Sequence, residues 1–204
     1  MSGDMTVIST YDSQAGMLAE RYEAVSSERM FADVLPIIPG GGATRLALDV
    51  GAGTGRDAAW LTSRGYKVVA AEPAAGMRRI AADKHGNIGI RWVSDALPSL
   101  DHVHGLGLAY DLVLLSAVWQ HVFPADRPRS FRKLATLMKP GGVLVMTLRH
   151  GPASPEMQMH PTSTAEIEGL ARTHGLEVLR VAGSNDQGGR TDVTWECHRA
   201  ANAG

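Results

Sequence analysis

The sequence predicts an α/β fold with three layers: a mostly parallel sheet, helices on both faces, and one antiparallel strand. Short apolar runs alternate with segments of helical period along most of the chain, which implies parallel strands joined by crossover helices. The first run, 46–50, ends in an acid and a turn with glycines at 51, 53 and 55, and a helix start follows. The last two runs, 176–181 and 191–198, have only the polar stretch 183–190 between them. They form a hairpin, so one strand is reversed.

Each element has a local reason. Residues 1–10 read as a loosely ordered chain end. Ala15, Leu18, Ala19 and Tyr22 recur at i, i+3, i+4 and i+7, the mark of an amphipathic helix. Met30, Phe31, Val34 and Leu35 suggest a second helix, stopped by Pro36. The loop 39–42 leads into the first strand. A helix over 56–64 closes at Gly65, and the second strand, 67–71, runs into Glu72. A helix over 74–85 ends at Gly86, and the third strand, 90–94, is followed by Asp95. Residues 98–109 fit either a short helix or a loop. The fourth strand, 110–116, leads to Ala117-Val118-Trp119-Gln120-His121. Asp126 is placed to cap a helix whose apolar face is Phe131, Leu134, Ala135 and Met138. A Lys-Pro-Gly-Gly turn at 139–142 opens the fifth strand. Ser163-x-x-Glu166 predicts a capping box before a helix that buries Ile167, Leu170 and Ala171.

At 204 residues the chain has the length of one domain, 1–204, with a core at 45–150 between an N-terminal helical lid (1–38) and a C-terminal helix and hairpin (151–204). Its 44% hydrophobic and 20% charged residues are ordinary for a globular protein. A formal net charge of −1 gives no electrostatic reason to expect nucleic acid as a partner. The single cysteine, Cys197, forms no internal disulfide, which points to a cytoplasmic setting. No apolar stretch approaches membrane-spanning length, and the N-terminus lacks the apolar core of a signal peptide.

The chemistry concentrates after the first strand. Glycines at 51, 53 and 55 let the backbone turn sharply and approach a ligand without an intervening Cβ. The helix start at Arg56 offers free N–H groups and a partial positive charge to a carboxylate or phosphate. A dinucleotide fingerprint would place its third small residue at position 56, where this chain has arginine, and that departure counts against NAD. Asp49-Val50-Gly51-Ala52-Gly53-Thr54-Gly55 instead resembles the first motif of the class I S-adenosylmethionine-dependent methyltransferases. The acids Glu72 and Asp95 at the ends of the second and third strands, the fourth strand with its following segment, and the glycine turn before the fifth strand fall in the order and spacing of that family.

The resemblance implies a Rossmann-like, seven-stranded sheet and S-adenosyl-L-methionine as cofactor, leaving S-adenosylhomocysteine after transfer to a small-molecule acceptor. It assigns the backbone of Gly51, Ala52, Gly53 and Gly55, with Thr54 and Arg56, to the cofactor carboxylate. Asp49 and the carbonyl of Ser116 then suit its ammonium, and Glu72 its ribose. Pro73 and Met77 suit the adenine faces, and Asp95 with Ala96 and Leu97 its amino edge. Bland readings stand beside these: Asp49 as a cap, Glu72 as a solvated strand end, Met77 as core.

On the acceptor side, His121 and His150 are candidate bases. Trp119 and Arg149 are candidate contacts, and Tyr11 and Tyr22 sit on the helical lid. A local capping or packing role fits His121 equally well, and Trp119 also reads as core. His102 and His104 lack companions at ligand spacing, so no metal is expected. Absent are an Asn/Asp-Pro-Pro-Tyr motif of base amino methylation, a cysteine near the third or fourth strand, and a paired-glutamate loop. These absences favour a small acceptor. Methylation of an RNA or protein recruited by a partner, an NAD-dependent oxidoreductase, and a cofactor-binding module without turnover are the alternatives.

Overall fold

Strands β1 (Leu46–Val50), β2 (Lys67–Ala71), β3 (Arg91–Val93), β4 (Tyr110–Leu115), β5 (Met138–His150), β6 (Leu176–Asn185) and β7 (Thr194–Asn202) build one sheet in the computed structural model. Their order is β3-β2-β1-β4-β5-β7-β6. The structure describes residues 2–86, 88–152, 157–187, 189 and 191–202. β7 runs antiparallel to both neighbours, and every other pairing is parallel. Seven strands with one reversed is the expected sheet. In the register, Val50 lies beside Ala71 and Leu115, so β1, β2 and β4 end together. β2 and β4 flank β1 on opposite sides. Open parallel sheets bind ligands where the strand order reverses in this way, beyond the carboxyl ends.

Alternate residues on the strands face two separate cores. Leu48, Val50, Val69, Val113, Leu115, Leu144 and Met146 pack against α6 (Asp101–Gly105), α7 (Arg127–Leu137) and α8 (Thr164–Thr173). Ala47, Val68, Ala70, Leu112, Leu114, Val143 and Val145 pack against Phe31, Val34 and the Ala58 and Leu61 side chains of α4 (Arg56–Ser63). Burial on both faces is why these strands read as continuous apolar runs. The ambiguous stretch 98–109 contains α6. Helix α5 (Ala75–His85) joins β2 to β3.

The first ten residues depart from expectation. Helix α1 covers Ser2–Ser13, and Ile8 and Tyr11 dock on a small apolar cluster of Ala15, Leu18, Ala74 and Met77. This cluster joins α1 and α2 (Ala15–Glu23) to α5. Asp12 adds a polar tie, its Oδ1 accepting the Gly76 N–H in the first turn of α5. The second expected helix shrinks to one turn, α3 (Ser27–Met30), capped by Ser26, and Pro36 lies in a separate 3-10 turn.

Two caps also differ. Asp126 makes no side-chain capping bond to α7, where Pro128 occupies the first turn. Ser163 does accept the Glu166 N–H, but Glu166 does not complete the box. Its Oε2 is bound at 2.8 Å by Arg127, a buried cation that needs a partner. Among the described residues, no helix is long and apolar enough to cross a membrane.

Candidate functional site

At the carboxyl ends of β1, β2, β3 and β4 lies a cavity of about 260 Å³. Its floor is the glycine turn. Gly51 has φ +70°, and a Cβ there would meet Val118 at 2.5 Å. Gly55 has φ +85° and forms the N-cap of α4, whose first turn carries Arg56 and Asp57. Both glycines therefore serve a left-handed backbone that bulkier residues disfavour.

Glu72 forms the adjoining wall. Its Oε2 accepts the Gly53 N–H at 2.8 Å and its Oε1 accepts the Ala74 N–H at 2.8 Å. Burial raises its pKa, while these two amide bonds and Arg78 pull the other way. A carboxylate oxygen has two lone-pair directions, so each of these oxygens can still accept a ligand hydroxyl. Arg56 grips Asp57 with two bonds, 2.9 and 2.6 Å, and donates a third at 3.0 Å to the Tyr22 carbonyl. Ser27 Oγ donates at 2.5 Å to Asp57 Oδ1, the oxygen that also accepts the Arg56 Nε–H. This network fastens the N-terminal helices to the glycine turn.

Asp95 lines the far wall with Ala96, Leu97 and Pro73. Its carboxylate accepts the Ala96 and Val103 amides, each at 2.9 Å. Thr54 and Ser116 line the cavity between the two walls.

The opposite end holds a chain of polar aromatic groups. His121 Nδ1 lies 2.9 Å from the Met157 carbonyl, so this nitrogen carries the proton. Nε2 is then an acceptor, and the Tyr11 hydroxyl donates to it at 3.1 Å. Tyr22 donates in turn to Tyr11 at 3.4 Å. Burial pushes His121 down to about 4, against the Met157 bond, so its imidazole is neutral at pH 7. Burial, reinforced by Tyr22, raises Tyr11 well above the ordinary phenol value. Ser184, Asn185, Asp186 and Gln187 at the end of β6, with Trp195 of β7, also line the cavity, and Gln187 Oε1 accepts the Ser26 N–H at 3.2 Å just after α2.

The glycine turn and acid-tipped strands sit inside a region matched by a known family: residues 48–146 fit the methyltransferase domain. Residues 48–146 thus belong to a methyltransferase-domain family. Among curated proteins it is 31% identical over 111 residues to a demethylmenaquinone methyltransferase of Thermobifida fusca, covering 54% of this chain and 46% of that protein. The chain spans less than two thirds of each of the three curated relatives. The 1,6-didemethyltoxoflavin-N1-methyltransferase of Burkholderia thailandensis superposes with a TM-score of 0.76 at 18% identity, over 98% of this chain and 89% of the other. The N-methyltransferase NodS of Bradyrhizobium japonicum gives 0.71 at 14% identity, over 87% and 96%. At such identities the two structures establish the shared fold.

Five sequence candidates lie off the cavity wall, among them Gly55, which serves as the N-cap of α4. Asp49 is buried behind the glycine turn, and its oxygens meet the Ala58 amide only outside good hydrogen-bond geometry. Burial, then the charge of Asp57, raises it well above the usual carboxylate range, against Arg56. Met77 is core, in the cluster that seats α1 and α2. Trp119 is fully buried edge-on against Phe131, its indole N–H 3.4 Å from Glu166, because the 3-10 turn Trp119–His121 directs it inward. His150 lines a neighbouring cavity and pairs with Glu196 at 3.2 Å.

The remaining candidates, including Tyr11, Tyr22, His121 and Arg149, all reach the main cavity. Sequence reasoning missed Asp57, Gln120, Asp126 as a wall residue, and the end of β6. Asp57 carried one signal, an acid in the first turn of a helix. The β6 end had none, since it reaches the cavity only through the pairing of β5 with β7 and β7 with β6. Cys197 is buried in β7, and burial pushes its thiol up to about 12, so it stays protonated and unreactive. No cluster among the described residues has the makings of a metal site.

Proposed function

We propose that this chain is an S-adenosylmethionine-dependent methyltransferase acting on a small-molecule acceptor by in-line transfer. The observation that carries the reading is the Glu72 carboxylate, held by the Gly53 and Ala74 amides on the wall of the cavity that the glycine turn floors. A carboxylate so held, with lone pairs to spare, suits a ribose diol. The turn and Arg56 suit the amino-acid carboxylate, and the Ser116 carbonyl its ammonium. Pro73, Asp95, Ala96 and Leu97 suit the adenine. When bound, the cofactor supplies a methyl group already activated on a sulfonium.

The chain's own task is alignment and exclusion of water. Helices within residues 1–38 act as the lid, fastened by the Arg56–Tyr22 bond and by Asp12 on α5. Neutral His121, oriented by Met157, takes the proton of an acceptor hydroxyl or amine, directly or through the Tyr11 phenol. Asp49, buried behind the turn and off the cavity wall, is given no ligand contact in this reading.

Calorimetry with S-adenosylhomocysteine and NADH tests the cofactor. Binding of the former alone supports the reading, and a preference for NADH overturns it. Transfer of labelled methyl to a metabolite extract then tests turnover, and binding without transfer to any acceptor makes the chain a non-catalytic module.

A further inference from the structure

A second cavity of about 180 Å³ adjoins the first. It far exceeds the ~10–15 Å³ that one water needs. Gln120, Arg149 and Met159 line both cavities, so the two share a wall. The other side chains around the smaller one are His150, His160, Pro161 and Thr162. It therefore gathers a guanidinium, two imidazoles, a hydroxyl and an amide, and no carboxylate lines it among the described residues. The main cavity is different: Asp57, Glu72, Asp95, Asp126 and Asp186 line it, beside Ile8, Val118, Val122 and Phe123.

We propose that the smaller cavity is a subsite for an oxyanion, a carboxylate or phosphate carried by the methyl acceptor, while the acceptor's apolar body occupies the main cavity. The inference deepens the methyltransferase reading and rests on it. Arg149 extends from the end of β5, and its Nη1 donates at 2.8 Å to the Pro152 carbonyl, which braces the guanidinium. Guanidinium donors form a planar fork that matches two oxygens of one anion. Gln120 and His160 are also braced: the His160 N–H donates to the Gln120 carbonyl at 2.7 Å, and the Gln120 amide donates to the Ala117 carbonyl at 2.7 Å.

Among the described residues, the carboxylate that pairs with this wall is Glu196, and it is already engaged. Its Oε2 is approached by Thr164 Oγ1 at 2.5 Å and by His198 and His150 at 3.2 Å each. Glu196 does not line the cavity, so an anion there faces the imidazole of His150 and not the carboxylate behind it.

The test is a titration of histidine-labelled protein with sodium phosphate and, separately, sodium acetate at constant ionic strength, read by NMR. The subsite predicts saturable shifts at His150 and His160, with exposed His102 unmoved. Arg149→Gln should weaken the response by roughly tenfold, as expected for loss of a charge-assisted pair, and His160→Gln should weaken it less. Whichever anion saturates first names the substituent class. Titrations flat at both histidines, or unchanged in Arg149→Gln, overturn the subsite. S-adenosylhomocysteine calorimetry on the same samples checks that each variant is folded. It also separates the two ideas: cofactor binding without anion shifts removes the subsite alone, and anion shifts without cofactor binding remove the methyltransferase reading.

Discussion

Buried Glu72 and half-buried His121 are both titratable, yet their environments push them towards different tests. The Glu72 carboxylate satisfies two backbone N–H donors, so Glu72→Ala removes a ligand acceptor and leaves both amides without their partner. Affinity for S-adenosylhomocysteine should fall by about 1.5–3 kcal/mol, the range for a charge-assisted hydrogen bond. Unchanged affinity by calorimetry would remove Glu72 from the ribose. His121 is tested by pH. Its folded pKa is about 4 against an ordinary 6.5, so between these values the unfolded chain binds the proton and the native chain does not. The stability it contributes is complete above about pH 6.5 and is lost as pH falls towards 4, by on the order of 3 kcal/mol. Glu72 and Asp49, raised by burial, act with the opposite sign: their contribution shrinks as pH rises through their folded values. The useful measurement is thus the difference in denaturation free energy between wild type and His121→Gln at pH 7 and pH 4.5. A difference that does not change with pH refutes a desolvated, neutral His121.

Among the elements, the N-terminal helices are held by polar ties as well as by the apolar cluster on α5. Arg56 reaches from the first turn of α4 to the carbonyl of Tyr22, near the end of α2, while its other nitrogens fork onto Asp57. Lysine keeps the charge but not the fork. Arg56→Lys should therefore speed amide hydrogen exchange in 15–25 while leaving β1, β4 and β5 protected, since local opening follows local contacts. Equal exchange in that segment would mean that apolar packing of Leu18 on Met77 holds the lid unaided. Helix α8 offers a separate check. Ser163 caps it without the reciprocal bond from Glu166, so Ser163→Ala should cost about 1 kcal/mol, the value for a lone cap. A cost near zero in a denaturant melt would show that the Arg127–Glu166 pair alone fixes the start of α8.

At the scale of the molecule, what the sequence revealed follows from how locally each feature is encoded. β1, β2, β4 and β5 are buried on both faces, so their apolar runs and the turns between them could be read one at a time. The same holds for the glycine turn and for Glu72, whose distance along the chain equals one strand–helix–strand unit. β6 is an edge strand with most of its side chains exposed, so nothing apolar marked its extension to Asn185. Trp119, Gln120 and His121 are consecutive, and only the folded 3-10 turn decides that the first is core while the other two reach the cavity. The cavity is assembled from segments that far apart: α1 and α2, the ends of the first four strands, the turn after β4, and the end of β6. A ligand that fills it should consequently stabilise the chain as a whole. At a hundredfold excess over its dissociation constant, S-adenosylhomocysteine should add about 2.7 kcal/mol, a rise in Tm of roughly 5–10 °C for a chain of this size. Hydrogen exchange should slow at 51–55, 72–74 and 95–97, where the cofactor is placed. It should slow much less at 184–187, which belong to the acceptor side until an acceptor is added. Protection at 184–187 equal to that at the glycine turn, with the nucleoside alone, would reverse the assignment of the two ends of the cavity.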